Sequence, residues 1–579
     1  MKNKFTICAA LLGSVTLACL SNAGLAATIG ICEASIEIRA DMRAQEFYSA
    51  TGERQLLIVS DSSLDTALCE STSLPQTADS ILWSALLPSS DIISPQTQLI
   101  LQGSFAADRA QISEIITTEP AQPAMQESRQ PSEATEELAD EFEHVLFGVE
   151  ERAQWLGGNQ LDCASGTQAA GIQLISNYQW PQNTFVQINA SGIGEFRVAI
   201  ADEQNIANES TVSLGSIQLS GNANDISRSF ALPDTRSEWK AITLTCPQGA
   251  GIISIDAIAL RPVIINDSER SRSAWIWNPS TWLNQADFFW TVQGLEDIGE
   301  FYVTVPVNEA GEVNNPQELS AFIKAASARD IKIWAVIGDR HDVLPETQSL
   351  LRTRVAAYRR YNTRVAVNEQ LAGVQLDIEP YLLPGNTLAK DLWRDRYLQT
   401  ISAAKQSAGE SLHIDLVMPV WWGVHANWGP KLLDALTLPG ISLTIMNYRT
   451  DYEQLLTGMT PFLEWGVRNG QAVRVALETG SLSDETQRAY VRNTQGELWQ
   501  LQIGTTPILV LFAEAQQNLP GVALSQRFER VFSADKLTFS GDQLRLNDIS
   551  NRLSEELDNW ASFAGIALHG LDEVYADQL

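Results

Sequence analysis

Eight short apolar runs between residues 274 and 569, helix-like stretches between most of them, and two β-rich segments upstream predict a multidomain chain that ends in a (β/α)8 TIM barrel. Length agrees, because 579 residues exceed what one core accommodates. Hydrophobic residues make up 44% of the chain, enough for globular cores. The formal net charge of -31 argues against nucleic acid and anionic membrane surfaces as partners, since both would repel it.

The first segment, residues 1–27, has Lys2 and Lys4, an apolar run from Phe5 to Leu20, and then N-A-G-L-A-A-T. That is the layout of a cleavable signal peptide, with cleavage expected near Ala26 or Ala27. A lipoprotein anchor at Cys19 is the weaker alternative, because Thr16 stands where a large aliphatic residue is usual. No later apolar segment is long enough for a stable membrane span. The expected location is secreted or periplasmic.

Residues 28–106 carry A-S-I-E-I-R-A, Q-L-L-I-V-S and Q-L-I-L-Q-G between turn residues, which predicts a small β-rich domain for spacing or partner binding. Residues 107–147 form an acidic Pro/Glu/Ser-rich linker, with a short helix expected over S-E-A-T-E-E-L-A-D-E-F-E-H. Residues 148–265 repeat short strands, among them T-F-V-Q-I-N-A and G-I-I-S-I-D-A-I-A-L, at the spacing of a β-sandwich. Four cysteines follow the signal. Cys32 and Cys69 precede the linker and Cys163 and Cys246 follow it, so the expected disulfides are Cys32–Cys69 and Cys163–Cys246. The five histidines are scattered and form no metal motif, so neither a metal nor a cofactor is expected.

Residues 266–579 hold the barrel. Its expected strands are 274–277, 300–307, 331–338, 372–379, 412–420, 441–448, 472–478 and 563–569. The helix at 316–330 starts near Pro316 and repeats its apolar residues every three or four positions. The gap after the seventh strand is too long for one helix. An insertion is expected over 481–546, with K-L-T-F-S-G-D-Q-L-R-L as a hairpin.

The fourth strand lies in L-A-G-V-Q-L-D-I-E-P-Y-L-L-P, and Pro380 ends it. Asp377 and Glu379 are two apart and share a face. Two acids there are costly unless paired, hydrogen-bonded or used. The bland alternative is a structural acid pair met by nearby arginines. Chemistry in such barrels gathers at the carboxyl ends of the strands. Those ends supply Trp277 and Asn278, Asp339, Arg340 and His341, and Asp377, Glu379 and Tyr381. Further round the barrel come Trp421 and Trp422, Asn447, Tyr448 and Arg449, Glu478, and His569, Asp572 and Glu573. Acids mixed with aromatics at one mouth suit sugars, since rings stack on pyranoses and carboxyls move the proton.

These residues support a resemblance. Asp377-Ile378-Glu379 and Met446-Asn447-Tyr448 resemble the Asp-x-Glu and Met-x-Tyr signatures of family 18 glycoside hydrolases. The resemblance implies Glu379 as general acid, with Asp377 and Tyr448 handling the substrate's acetamido group. Ala372 and Gln375 stand where that family has two further acids, and Arg449 follows the Tyr where Asp is frequent. Glu379-Pro380 with Glu478 resembles the acid/base and nucleophile of clan A retaining glycosidases, although Ile378 replaces that clan's Asn. D-I-E-P-Y-L-L-P, I-M-N-Y-R, E-T-G and F-A-G-I-A-L-H resemble uncharacterised bacterial barrel proteins over 272–579. The end of the sandwich resembles jelly-roll carbohydrate-binding modules, with Trp155, Tyr178 and Trp180 either stacking on sugars or filling the core.

The expectation is an exported hydrolase of glycosidic bonds acting on a polysaccharide or oligosaccharide. Its catalytic residues are Glu379, Glu478, Asp377 and Tyr448. Its substrate contacts are Trp277, Asp339, Arg340, Tyr381, Trp421, Trp422, Asn447, Arg449 and His569, with Trp428 a further subsite candidate. Arg449 suits an acidic sugar, and Glu478 suits equally a salt bridge to Arg449 or Arg340. The alternatives are a non-catalytic glycan-binding barrel and an envelope assembly protein that docks through its N-terminal domain.

Overall fold

The computed structural model describes residues 27–571, apart from 49–53, 88–97, 119–135, 138–141, 222–225, 234–237, 264–269, 291–296, 384–389, 425–428 and isolated positions elsewhere. Residues 1–26 of the expected signal segment, Tyr178, His425, Trp428, Asp572 and Glu573 lie outside the described residues. Among the described residues, no helix is long and apolar enough to cross a membrane.

The chain divides into two compact units. The first combines the N-terminal residues up to 100, residues 105–112 and residues 488–528. Its four-stranded sheet has Ala27–Glu33 between Arg54–Ser60 and Cys69–Leu74, with Met42–Tyr48 at one edge. The Cys32–Cys69 disulfide joins directly opposed positions of two of these strands. The expected A-S-I-E-I-R-A strand is instead turn and coil, and the strand precedes it over Ala27–Glu33, where Ala27 and Ile29 are buried and Ile31 is half-buried. The inserted strands Gln495–Ile503 and Thr506–Gln517 pair with each other, and the second pairs with Ile81–Leu86. Ala27, Ile29, Leu57 and Val59 share one core with Trp499, Leu501, Ile508 and Val510. The insertion is thus packed into the β-rich N-terminal module, because neither segment alone covers those side chains.

Two further local expectations are corrected. The expected hairpin at 536–546 is a turn that leads into the helix Gln543–Leu557. Asp542 caps that helix by accepting from the Arg545 amide, and Leu546, Ile549, Leu553 and Leu557 line its buried stripe. The short helix expected at the end of the linker is in part a strand, Phe142–Gly148, paired with Ala170–Ser176 in the sandwich sheet.

The second unit holds the sandwich and the barrel. The sandwich is built on the long strand Thr184–Asp202, which pairs with strands at Val212–Ser220, Ile226–Ala231, Trp239–Thr245 and Gly251–Pro262. Cys163 and Cys246 form its disulfide. Trp180 is core, and Trp155 packs half-buried against His144 with ring centroids 4.8 Å apart. The sandwich rests on the barrel: Phe185 meets Trp560 at 5.6 Å, and Arg228 donates to Thr457 at 3.4 Å.

Eight parallel strands then close into a barrel: Arg272–Ile276, Ile298–Thr304, Lys332–Ile337, Gly373–Leu376, His413–Pro419, Ile441–Met446, Val473–Glu478 and Phe563–His569. Helices such as Pro316–Ser327, Gln348–Asn362, Lys390–Ala408 and Tyr452–Asn469 make the crossovers. The strands are almost wholly buried and mostly apolar, as parallel strands covered by helices are.

Candidate active site

The mouth of the barrel follows from where each strand stops. The fourth strand ends at Leu376, but the Asp377 amide still donates to the Ile337 carbonyl at 2.9 Å, so the acid is held at the rim of the ladder. Gly338 makes this approach possible, since a side chain there would meet the Asp377 carbonyl at 1.8 Å. Pro380 then starts a short turn, Pro380–Leu382, that carries Tyr381 back over Glu379. The Tyr381 hydroxyl donates to Glu379 Oε1. Asp377 Oδ1 is buried without a hydrogen-bond partner among the described residues.

This setting moves the protons. Burial, and then the Glu379 charge, push Asp377 up to about 7, and a positive charge on His569 would act the other way. Burial also raises Glu379, while the Tyr381 hydrogen bond and His569 act the other way. Burial and the mutual repulsion of the two charges both favour protonation of the pair. Burial raises the Tyr448 phenol, and the charges of Glu478, Asp377 and Glu379 add to it, which places this ring among all three carboxyls.

The E-T-G and F-A-G-I-A-L-H motifs meet at the ends of the seventh and eighth strands, where Glu478 and His569 are in register. Glu478 is only 2% exposed. Its Oε1 accepts from the Gly480 amide at 2.7 Å, and its Oε2 lies 2.7 Å from His569 Nδ1. Thr479 holds the His569 carbonyl through both its amide, at 2.9 Å, and its hydroxyl, at 2.6 Å. Gly570, at φ +73°, leaves room for this, since a Cβ there would come within 2.4 Å of the Gly480 nitrogen. Trp277 donates its indole N–H to His569 Nε2 at 3.2 Å, and Tyr448 stacks on the same imidazole at 5.8 Å.

The structure therefore brings together Asp377, Glu379, Tyr381, Tyr448, Glu478, His569 and Trp277. Trp421 extends the aromatic wall, edge-on to Tyr381 at 5.4 Å. Other expected contacts are engaged elsewhere. Trp422, 2% exposed, is wedged between Tyr381 and Tyr397 and supports the Tyr381 ring from behind. Asn447, 1% exposed, turns to the helix behind it and donates to the Leu455 carbonyl at 2.9 Å. Asp339 caps the turn Arg340–Val343 and takes the His341 ring at 2.5 Å, while Arg340 is exposed. Arg449 donates to the Tyr448 carbonyl at 2.7 Å. Among the described residues, no cluster suited to a metal ion is present.

Below the mouth lies a polar layer that the sequence reading did not assign. Gln375 links the Trp275 indole at 2.6 Å to Asp415 at 2.8 Å. Asp415 also accepts from Thr444 at 2.7 Å and from Ser442 at 2.5 Å. Arg474 donates to Tyr302 at 2.6 Å and pairs with Glu300 at 3.1 Å. Burial opposes the Arg474 charge, but Tyr302, Glu300 and Asp415 outweigh it. The available signal was a charged residue inside an apolar run, as in H-I-D-L-V-M-P and V-R-V-A-L-E.

No family model matches the chain, and no curated protein matches it. Solved structures do. The carbohydrate-binding and family 10 modules of an endo-1,4-beta-D-xylanase of Clostridium thermocellum, complexed with xylohexaose, match at 8% identity over 60% of this chain and 79% of that one, with a TM-score of 0.26. A family 29 carbohydrate-binding module matches at 11% identity over 21% of this chain and 80% of that one, with a TM-score of 0.18. At these scores the likeness carries no functional weight, which rests instead on the mouth itself.

Proposed function

We propose that the barrel is a (β/α)8 glycosidase barrel that hydrolyses glycosidic bonds in a polysaccharide, with Glu379 as general acid. One observation carries this reading: an acid pair, Asp377 and Glu379, sits buried at a strand end with no Lys or Arg salt bridge among the described residues, in a setting that raises both carboxyls, beside Tyr381 and Tyr448. Glu379 lies further out along the chain than Asp377 and delivers the proton to the glycosidic oxygen as the bond to the anomeric carbon breaks. Water then adds to that carbon, and its proton returns to the acid pair. Tyr381 and Tyr448 orient the sugar, and Trp277 and Trp421 offer ring faces to it. The two disulfides support an oxidising compartment, in keeping with export.

The test is release of reducing ends from a panel of neutral, amino and acidic polysaccharides by the full mature chain and by Glu379→Gln. Cleavage should fall by about 10²–10⁴-fold in the variant. Equal rates would remove Glu379 from the role. Binding by both proteins with product from neither would leave a non-catalytic glycan-binding barrel.

A further inference from the structure

The two nitrogens of His569 face partners of opposite kind. Glu478 Oε2, an acceptor, lies 2.7 Å from Nδ1, and the Trp277 indole, which can only donate, points at Nε2 from 3.2 Å. The pairing specifies one form of the ring: hydrogen on Nδ1, lone pair on Nε2, no net charge. A protonated Nε2 would aim its hydrogen at that of the indole. The other oxygen of Glu478 is taken by the Gly480 amide at 2.7 Å, so this carboxylate has both oxygens engaged and is 2% exposed. A nucleophile needs a free, approachable oxygen. Among the described residues, titratable groups that act on the ring include Glu478 at the end of the seventh strand, Tyr448 beyond the sixth, and Asp377 and Glu379 beyond the fourth. Trp275 and Trp277 from the first strand bring no charge.

We infer that Glu478, His569 and Trp277 are a positioning triad: Glu478 and Trp277 together fix the tautomer of His569, and His569 sets the charge that the Asp377–Glu379 pair faces. Glu478 is then not the second reacting carboxyl. The inference deepens the glycosidase reading for its kinetic consequence, but the state of the ring does not depend on any activity.

The two partners push the ring in opposite directions, which makes the triad testable. Removing the indole donor by Trp277→Phe exposes Nε2 to protonation. In Glu478→Gln the amide has one oxygen for two donors, so either Gly480 or His569 loses its acceptor. An amide NH2 facing Nδ1 forces the hydrogen onto Nε2, against Trp277.

The experiment is NMR of the full mature chain labelled with 13C at histidine Cε1, with His569→Asn assigning the signal. The wild-type ring should be neutral with hydrogen on Nδ1. Its titration midpoint should rise by about one pH unit in Trp277→Phe and fall by about one in Glu478→Gln. Shifts in the same direction, or hydrogen on Nε2 in the wild type, overturn the triad whether or not the protein cleaves anything. If Glu478→Gln does not fold, the wild-type tautomer and Trp277→Phe still decide. Where cleavage is measured, the alkaline limb of the pH profile should move down in Trp277→Phe, because a charged ring favours ionised acids, and up in Glu478→Gln. Abolished cleavage in a folded Glu478→Gln whose ring titrates as in the wild type overturns the triad and makes Glu478 the nucleophile.

Discussion

The barrel contains two acid clusters, one on its second and fifth strands and one just beyond the end of its fourth, and they are treated in opposite ways. In the lower layer, Asp415 is 0% exposed yet accepts hydrogen bonds from Gln375, Ser442 and Thr444, and Glu300 is paired with Arg474. At the mouth, Asp377 and Glu379 form no salt bridge to Lys or Arg and Asp377 Oδ1 has no hydrogen-bond partner among the described residues, and Asp377 is pushed up to about 7 by burial and by its neighbour. The same residue type serves stability where its charge is met and keeps a proton where it is not. An unmet acid pair costs the fold free energy, and such a cost is expected where chemistry uses it.

The comparison can be broken at either end. The largest stability effect should come from Arg474→Met. It leaves Glu300 uncompensated in a dry layer and should destabilise by roughly 3–5 kcal/mol in urea melts. A smaller loss would mean that water or other donors reach that layer.

Asp377→Asn should act in the other direction on stability. The Asp377 carboxyl rises from 3.8 to about 7, so the folded chain binds this proton more tightly than the unfolded chain does. Stability from this group is therefore highest below about pH 4, falls as pH climbs to about 7, and stays low above that. The amide removes the penalty. The variant should be roughly 2–4 kcal/mol more stable than the wild type at pH 8, with the difference closing toward pH 4 while cleavage falls. Urea melts at the two pH values check this, and equal stability at pH 8 would show that Asp377 is met by solvent.

The smallest expected effect belongs to Tyr381→Phe. It removes the hydroxyl that donates to Glu379 and leaves the ring packed on Trp421 and Trp422. One lost hydrogen bond of about 1 kcal/mol should cost roughly fivefold in rate. Glu379 should also rise further, moving the alkaline limb of the pH profile upward, which a kinetic profile would detect.

What could be read from the sequence has a common physical basis. All eight expected barrel strands have observed counterparts, the last at the same bounds, because buried parallel strands advertise themselves as unbroken apolar runs. The two disulfides formed as paired, because the cysteines fell two and two around a polar linker. Asp377 and Glu379 stood out because acids in an apolar run must be explained locally. Weaker local patterns misled: A-S-I-E-I-R-A alternates like a strand but is turn, and F-E-H-V-L-F-G sits in a segment that reads as helix or linker but completes the edge of a sheet.

The sequence by itself determined the order of strands and which residue types reach their ends, since both follow from periodicity and from the chain's two-residue alternation in strands. Tertiary structure alone decided which ends meet. Glu478 and His569 are separated by 91 positions and are joined only by barrel closure. Gln375 and Asp415 are 40 apart, and Arg474 and Glu300 are 174 apart. The inserted strands share a core with residues near the start of the described chain. Whether a carboxyl is neutralised, tethered or left holding a proton depends on those distant partners, and composition and spacing carry no record of them.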